Sequence, residues 1–103
     1  MSTETIGEKL RQIREEKGLP LRKVAELVQI DVAILSKMER GERKISKSVV
    51  QKLATLYEYN FDELLVLFLS DKILYEIKDE DLGIEALKVA EEKALYLKEK
   101  KRK

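Results

Sequence analysis

The sequence predicts an all-α fold. Apolar residues recur at intervals of three and four along most of the 103-residue chain, which is the spacing of one face of a helix. Four glycines and one proline are too few for the many turns of a β-sandwich or barrel. A chain of this length supports one compact domain with a single core and little more. We therefore expect a small helical bundle.

Three short helices are predicted in the first part of the chain. The first covers about residues 5–17 and is followed by Gly18, a residue that commonly ends helices. The second begins at or just after Pro20, because proline suits the first turn of a helix. Asp31 is a good N-cap for the third helix, and Gly41 ends it. All three are amphipathic and should share one core.

Three further helices are predicted in the second part. The fourth begins near residue 46. Asn60 and Glu63 have the spacing of a capping box, so they should begin a fifth helix that continues to about residue 77. An acidic break precedes a sixth helix, which covers about residues 80–98.

The composition excludes several classes of site. The sequence contains no cysteine and no histidine, which removes disulfides, thiol catalysis and the commonest metal ligand and general base. We expect no enzyme activity, no metal site and no cofactor. No apolar run reaches the roughly 18 residues of a membrane span, and the N-terminus lacks a signal-peptide pattern. A cytoplasmic protein without membrane contact is expected.

The charges are unevenly distributed. Residues 1–60 carry 12 basic and 9 acidic side chains, residues 61–97 carry 4 and 10, and residues 98–103 carry 5 and 1. The basic residues of the first part concentrate in one stretch, namely Lys37, Arg40, Arg43, Lys44 and Lys47. This stretch suggests a face that binds an anion, and the alternative is a solvated surface of mixed charge.

The second and third predicted helices have the layout of a helix-turn-helix. They are short and are joined by residues 29–31, but many small bundles contain such a pair. The stretch GLPLRKVAELVQIDVAILSKMERGERK is more specific. It resembles the signature of the lambda-repressor/Cro-like (XRE) helix-turn-helix family, and the resemblance covers about residues 6–68.

This resemblance implies a domain organisation. The expected fold is a five-helix lambda-repressor-like bundle with an elongated fifth helix and an added C-terminal helix. The helix-turn-helix domain would cover residues 5–68, and a helical extension, expected to serve dimerisation, would cover residues 69–98. Residues 99–103 would form a disordered basic tail.

The resemblance also implies roles for individual residues. Arg14 and Glu39 match a pair that forms a largely buried salt bridge between the first and third helices of related proteins. The positions that face base edges are Val32, Ala33, Ser36 and Lys37. The positions that contact phosphates are Arg22, Lys23, Arg40, Arg43, Lys44 and Lys47. The simpler alternatives are a surface lysine at residue 37, residues 32 and 33 covering the second helix, and a solvated basic loop.

The sequence departs from the family pattern at four positions. Leu21 and Val32 stand where many relatives carry glutamine, so these side chains should make fewer direct hydrogen bonds to DNA than is usual in the family. Gln29 and Glu58 stand where turns usually carry glycine. If both adopt left-handed geometry, each costs on the order of 1 kcal/mol.

The implied function is sequence-specific binding of double-stranded DNA by a transcriptional regulator, a repressor or autoregulator. It would act as a homodimer on a near-palindromic operator. The size also resembles the controller proteins of restriction-modification systems. Residues 64–69 are all apolar, and a helix that is apolar on every side must be buried on every side. The expected dimer interface therefore uses Leu65, Phe68, Leu69, Ile73 and Leu87.

Three alternatives remain open at this stage. The sixth helix could fold back over the fifth within one subunit. The protein could be the antitoxin of a toxin–antitoxin pair, with its fifth and sixth helices bound to a toxin as a protein partner. It could also be a helical protein-interaction module that does not bind DNA.

Overall fold

A computed structural model describes residues 3–101 of the chain. Within this range the structure is all-α and contains six helices and no strand. The helices are α1 (Ile6–Glu16), α2 (Leu21–Val28), α3 (Val32–Glu39), α4 (Lys47–Tyr57), α5 (Phe61–Ile77) and α6 (Gly83–Lys100). None of them combines the length and the apolar character that a membrane span requires.

Side-chain caps explain where several of the helices begin. The Asp31 carboxylate accepts from the backbone N–H groups of Ala33 and Ile34 at 2.9 and 3.2 Å, so it satisfies donors that the first turn of α3 leaves unpaired. The Ser46 hydroxyl caps α4 in the same way, at 3.2 Å from the Val49 nitrogen. Asn60 accepts from the Glu63 N–H at 3.0 Å, which is one half of the expected capping box.

The residues at the two helix ends that lack the glycine usual in the family adopt a left-handed backbone conformation. Gln29 has φ 57° and Glu58 has φ 53°, and they terminate α2 and α4. The Ile30 N–H reaches back to the Ala25 carbonyl at 3.0 Å, so the turn ends α2 with a closed hydrogen bond. The left-handed geometry on which the expected cost depends is therefore present at both positions.

The chain divides after Asp71 into two compact units. The first has one hydrophobic core to which α1 to α5 all contribute. Its largest fully buried side chains are Tyr57, Leu10, Leu35, Leu53, Leu64, Val24 and Val50. The division falls three residues beyond the expected domain end, because α5 stays in hydrogen-bond contact with α1 as far as Asp71, whose carboxylate accepts from the Ile6 N–H at 2.8 Å.

The expectation for α5 needs one correction. Phe68, which we expected at a dimer interface, is 6% exposed and belongs to the core of the first unit. Leu64 is buried beside it, whereas Val66 and Leu69 are 66% and 46% exposed. The helix is apolar on all sides, but the single chain buries only one of them.

The second unit contains the end of α5, a tight corner and α6. The corner ends with a hydrogen bond from the Gly83 N–H to the Glu80 carbonyl at 3.0 Å. Helix α6 therefore begins three residues later than predicted, because residues 80–82 form this turn. It continues to Lys100, so the expected disordered tail is helical at its first two residues. Lysines in the last turn favour this extension, and residues 102 and 103 lie outside the described residues.

Candidate nucleic-acid interface

Helix α3 has one face in the core and one face in solvent. Leu35, Met38 and Glu39 are buried. On the other side Val32 is 40% exposed, and Ala33 and Lys37 are also exposed. The helix is therefore held by its inner side while its outer side remains available to a ligand.

The four residues predicted to face base edges occupy this outer side or its border. Val32, Ala33 and Lys37 are exposed, and Ser36 is half-buried. Val32 and Ala33 begin the helix directly after the Asp31 cap, which fixes their backbone. Chemically, the surface offers two apolar contacts, one hydroxyl and one ammonium group. This set can pack on a thymine methyl group and donate to guanine or to a phosphate.

Exposed cationic residues precede and follow α3 in the sequence. All six residues predicted to contact phosphates are exposed, namely Arg22, Lys23, Arg40, Arg43, Lys44 and Lys47. Arg40 is partly engaged within its own segment, since its Nε lies 3.4 Å from the Ser36 carbonyl and 3.6 Å from a Glu42 carboxylate oxygen. An ion pair between exposed side chains is weak, so it leaves Arg40 able to exchange Glu42 for another anion.

The Arg14–Glu39 ion pair that the resemblance implies is present and bidentate. Nε and Nη2 of Arg14 donate to the two carboxylate oxygens of Glu39 at 2.8 and 3.0 Å. The third arm, Nη1, donates to the Leu19 carbonyl at 2.9 Å. The two side chains are only 12% and 6% exposed, and the hydrogen bond to Glu39 raises the pKa of Arg14 against the opposing effect of burial. The pair fastens the last turn of α3 to α1.

A second contact between α1 and α3 was not predicted. Gly7 is buried against the end of α3, where a β-carbon would meet the Met38 carbonyl oxygen and would lie 2.8 Å from the Glu39 carbonyl oxygen. Next to it, the Ile6 N–H donates to Asp71 of α5. One turn of α1 therefore contacts both the candidate recognition helix and α5. A glycine inside a helical pattern is a signal for Gly7, but no local signal points to Asp71, 65 residues away from its partner.

The predicted interface residues of α5 and α6 differ in their exposure. Leu69, Ile73 and Leu87 are 46%, 50% and 38% exposed, whereas Leu65 is half-buried and packs against the core. Val66, which was not among the predicted residues, is 66% exposed and has the three-and-four spacing of one helix face to residues 69 and 73.

The fold and this surface define a small helical protein with a capped, half-exposed second helix in a helix-turn-helix. Residues 10–64, more than half of the chain, match the helix-turn-helix family model. The chain belongs to the helix-turn-helix family, of the lambda-repressor/Cro-like (XRE) type that its sequence motif indicates.

Curated relatives include two regulators of this class. The chain is 41% identical over 60 residues to the HTH-type transcriptional regulator DdrOP3 of Deinococcus deserti. The matched segment covers 58% of this chain and 46% of DdrOP3. It is 34% identical over 64 residues to the uncharacterized HTH-type transcriptional regulator YazB of Bacillus subtilis. This match covers 62% of this chain and 93% of YazB. The chain thus spans about half the length of the first and nearly all of the second.

A third relative is an enzyme. The chain is 36% identical over 63 residues to the glutamine–fructose-6-phosphate aminotransferase of Methanocaldococcus jannaschii. The match covers 60% of this chain but only 6% of the enzyme. The similarity therefore concerns one short segment of that protein and carries nothing about its reaction.

Proposed function

We propose that this protein is a transcriptional regulator that binds double-stranded DNA in a sequence-specific manner as a homodimer on a near-palindromic operator, acting as a repressor or autoregulator. The observation that supports this function best is the outer side of α3. It is exposed at Val32, Ala33 and Lys37 on a helix whose inner side is fixed by the core and by the Arg14–Glu39 pair. A rigid helix with one free face is what the DNA major groove accepts.

The charges support the same function. The acidic partner closest in sequence to Lys37 is Glu39, and its charge is occupied by Arg14 inside the protein. Residues 40–47 contain four exposed cations and a single carboxylate, that of Glu42. A duplex offers phosphates at close spacing, and neutralising them releases counterions, which supplies most of the non-specific affinity.

The dimer is supported by α5. Val66, Leu69 and Ile73 are exposed and follow a spacing of three and four, with β-branched residues and leucine alternating as in the seam of a two-stranded coiled coil. A second copy placed against these side chains would remove apolar surface from water. Two recognition helices could then read half-sites about 34 Å apart.

Selection of bound sequences from a random duplex library tests this function directly. We expect a consensus with two-fold symmetry and half-sites about one helical turn apart. A consensus without symmetry would contradict the homodimeric mode of binding. Recovery of random sequences would contradict sequence-specific binding itself.

Lys37 and Arg43 should give distinguishable effects on DNA binding. Replacing Lys37 with alanine should weaken binding to the selected site by about 1–3 kcal/mol and relax the preference at one position. Replacing Arg43 with alanine should weaken binding to all sequences alike and reduce the dependence of affinity on salt. Titrations of both variants on specific and scrambled duplexes at two salt concentrations measure this, with the exposed Lys17→Ala at the C-cap of α1 as the control. An unchanged preference in the Lys37 variant would remove this residue from base readout.

A second candidate function is that of an antitoxin that binds a toxin through α5 and α6. The exposed apolar side chains of α6 favour a protein partner of some kind, since Ile84 and Leu97 are 59% and 57% exposed. The purified chain distinguishes the two candidates. A stable homodimer in sedimentation experiments favours the regulator, and a monomer that assembles only with the product of a neighbouring gene favours the antitoxin.

A further inference from the structure

One acidic side chain lies within the cationic stretch that follows α3. Residues 40–47 carry the exposed cations Arg40, Arg43, Lys44 and Lys47, and they also carry the exposed carboxylate of Glu42. On a surface that binds a polyanion, a carboxylate opposes the attraction of the cations. The contribution of Glu42 to such a surface is therefore different from that of its neighbours in the sequence.

The backbone fixes the position of Glu42 at the end of α3. Gly41 is left-handed, with φ 76°, and it turns the chain back over the last turn of the helix. The Gly41 N–H donates to the Met38 carbonyl at 3.2 Å, and the Glu42 N–H donates to the Lys37 carbonyl at 2.8 Å. These two bonds form a Schellman motif, which places the residue after the glycine beside the residue five positions before it. Glu42 is therefore held next to Lys37, a residue of the candidate DNA surface.

The side chain of Glu42 forms an ion pair with Arg40. Nε of Arg40 lies 3.6 Å from Oε2 of Glu42, and the two side chains are 50% and 55% exposed. The same nitrogen lies 3.4 Å from the Ser36 carbonyl oxygen. Arg40 follows Lys37 by three residues and Ala33 by seven, so these three residues share one side of the helix. The ion pair therefore forms on the outer side of α3, where the duplex would bind.

A carboxylate and a phosphate compete for the same guanidinium group, because both are anions that accept charge-assisted hydrogen bonds from it. An exposed ion pair is weak, since water and salt screen it. A duplex, in contrast, carries one negative charge per about 1.7 Å of its axis. The duplex can therefore displace Glu42 from Arg40, but the free energy of the broken ion pair is subtracted from the free energy of binding.

We propose that Glu42 is an intramolecular competitor of DNA phosphates for Arg40, and that it lowers the affinity of the protein for duplexes of every sequence. Non-specific binding is almost entirely electrostatic, so at a given concentration less of the protein is held on non-specific DNA. Glu42 acts through Arg40 and does not read bases. This inference rests on the proposed function, DNA binding by the outer side of α3, and specifies how its affinity is set.

Glu42→Gln in the full chain tests the proposal, because glutamine keeps the size of the side chain and removes its charge. At about 0.1 M salt we expect this variant to bind the selected duplex and a scrambled duplex roughly two- to fivefold more tightly. The matched control is Glu58→Gln, which removes the same charge from an exposed residue at the far end of α4, about 16 Å from Lys47 along the helix axis. This distance exceeds the screening length, so the control should change the affinity less than about twofold.

A double-mutant cycle with Arg40→Gln separates competition from simple repulsion between Glu42 and the duplex. If Glu42 acts by holding Arg40, most of the gain from Glu42→Gln should disappear in the Arg40→Gln background, whereas repulsion would act equally in both backgrounds. The salt dependence gives a second readout. With Arg40 present, Glu42→Gln should steepen the plot of log affinity against log salt by up to about 0.9, because Arg40 then neutralises a phosphate without leaving a carboxylate to attract a cation.

An equal gain in both backgrounds, or a gain no larger than that of Glu58→Gln, would overturn the competition while leaving the regulator intact. A changed base preference at one position of the consensus would overturn it as well, because Glu42 would then read a base. Elution from heparin, a polyanion without bases, separates the competition from the function in DNA binding. If the wild-type protein selects no DNA sequence, the regulator is refuted. Later elution of Glu42→Gln than of Glu58→Gln, lost in the Arg40→Gln background, would still support the competition for anions.

Discussion

At the scale of single residues, Tyr57 is the least satisfied polar group of the core. The side chain is 1% exposed, and its hydroxyl has no hydrogen-bond partner among the described residues. Burial raises the pKa of Tyr57 to about 12, and the negative charge of Glu39 adds to this effect while Arg14 opposes it. The ring supplies packing, whereas the hydroxyl is desolvated without compensation.

We therefore expect Tyr57→Phe to leave the free energy of unfolding unchanged or to raise it by about 1 kcal/mol, because the variant no longer buries an unpaired hydroxyl. Urea unfolding near neutral pH measures the change. Leu53→Ala, which truncates another fully buried side chain, is the control and should cost about 2–5 kcal/mol. A clear loss of stability in the phenylalanine variant would show that the hydroxyl has a partner.

The same group makes stability depend on alkaline pH. Its ordinary pKa is 10.0 and its folded pKa is about 12, so the unfolded chain loses the proton first. The contribution of this pKa difference to the free energy of unfolding is fully present below pH 10 and declines as the pH rises toward 12. The wild-type protein should therefore lose more stability over this range than Tyr57→Phe does. The three other tyrosines are the same in both proteins, so the comparison isolates the effect of residue 57.

At the scale of elements, the orientation of α3 depends on how closely α1 approaches it. Gly7 brings the backbone of α1 against the Met38 and Glu39 carbonyl groups, and Arg14 binds the Glu39 side chain. Interiors are packed too tightly to absorb an extra methyl group at such a contact. Two independent contacts thus hold the end of the helix whose other face is the candidate DNA surface.

Gly7→Ala should destabilise the protein by about 1–3 kcal/mol through overpacking, although alanine is the better helix former by about 1 kcal/mol. DNA affinity should fall as well, because the end of α3 must shift. Chemical unfolding and duplex titration measure the two effects. The exposed Gln12→Ala of the same helix should change stability by no more than about 0.5 kcal/mol. A more stable Gly7 variant would indicate that the two helices can separate without cost.

A substitution at the left-handed end of α4 should raise the stability of the protein, in contrast to Gly7→Ala. Glu58 is exposed at φ 53°, a conformation that favours glycine. Glu58→Gly should raise the unfolding midpoint by an amount equivalent to roughly 0.5–1 kcal/mol, after the greater freedom of glycine in the unfolded chain is deducted. Glu58→Ala removes the same charge but keeps the strained backbone, and it should bring no gain. Equal effects of the two substitutions would attribute the change to charge instead.

At the scale of the whole molecule, the main feature is the number of large apolar side chains that the single chain leaves exposed on α5 and α6. Leu69 and Ile73 of α5 and Ile84, Leu95 and Leu97 of α6 are all at least 46% exposed. A monomer in water would leave this surface hydrated, whereas association removes it from water. In the proposed homodimer, the dissociation constant is the quantity through which protein concentration would control DNA binding.

Truncation before Asp79 should weaken dimerisation and, through it, binding to a symmetric site, while the core of the first unit persists. Sedimentation equilibrium and circular dichroism measure the two properties. Arg14 and Glu39 lie far outside the deleted segment, so unfolding by urea should remain cooperative. The same dimer mass with and without residues 79–103 would assign self-association to α5 alone.

Local signals in the sequence explain why the element order could be predicted. The caps at Asp31 and Ser46 and the stop at Gly41 act within four residues, so their effect is visible in the chain itself. The assignment of α5 failed at Phe68 because consecutive apolar residues give no indication of which side meets the core. Only the packed structure distinguished buried Phe68 from exposed Val66.

The sequence by itself determined the all-α class, the order of six helices, the family and the positions that form the outer side of α3. These follow from periodicity, capping and a contiguous motif, all of which are short-range properties of the chain. The tertiary structure decided the closeness of Gly7 to the end of α3, the bond between Asp71 and Ile6, and the side of α5 that remains in solvent. Those features join residues distant in sequence, and their energies depend on the direction in which whole helices pack, which no local pattern encodes.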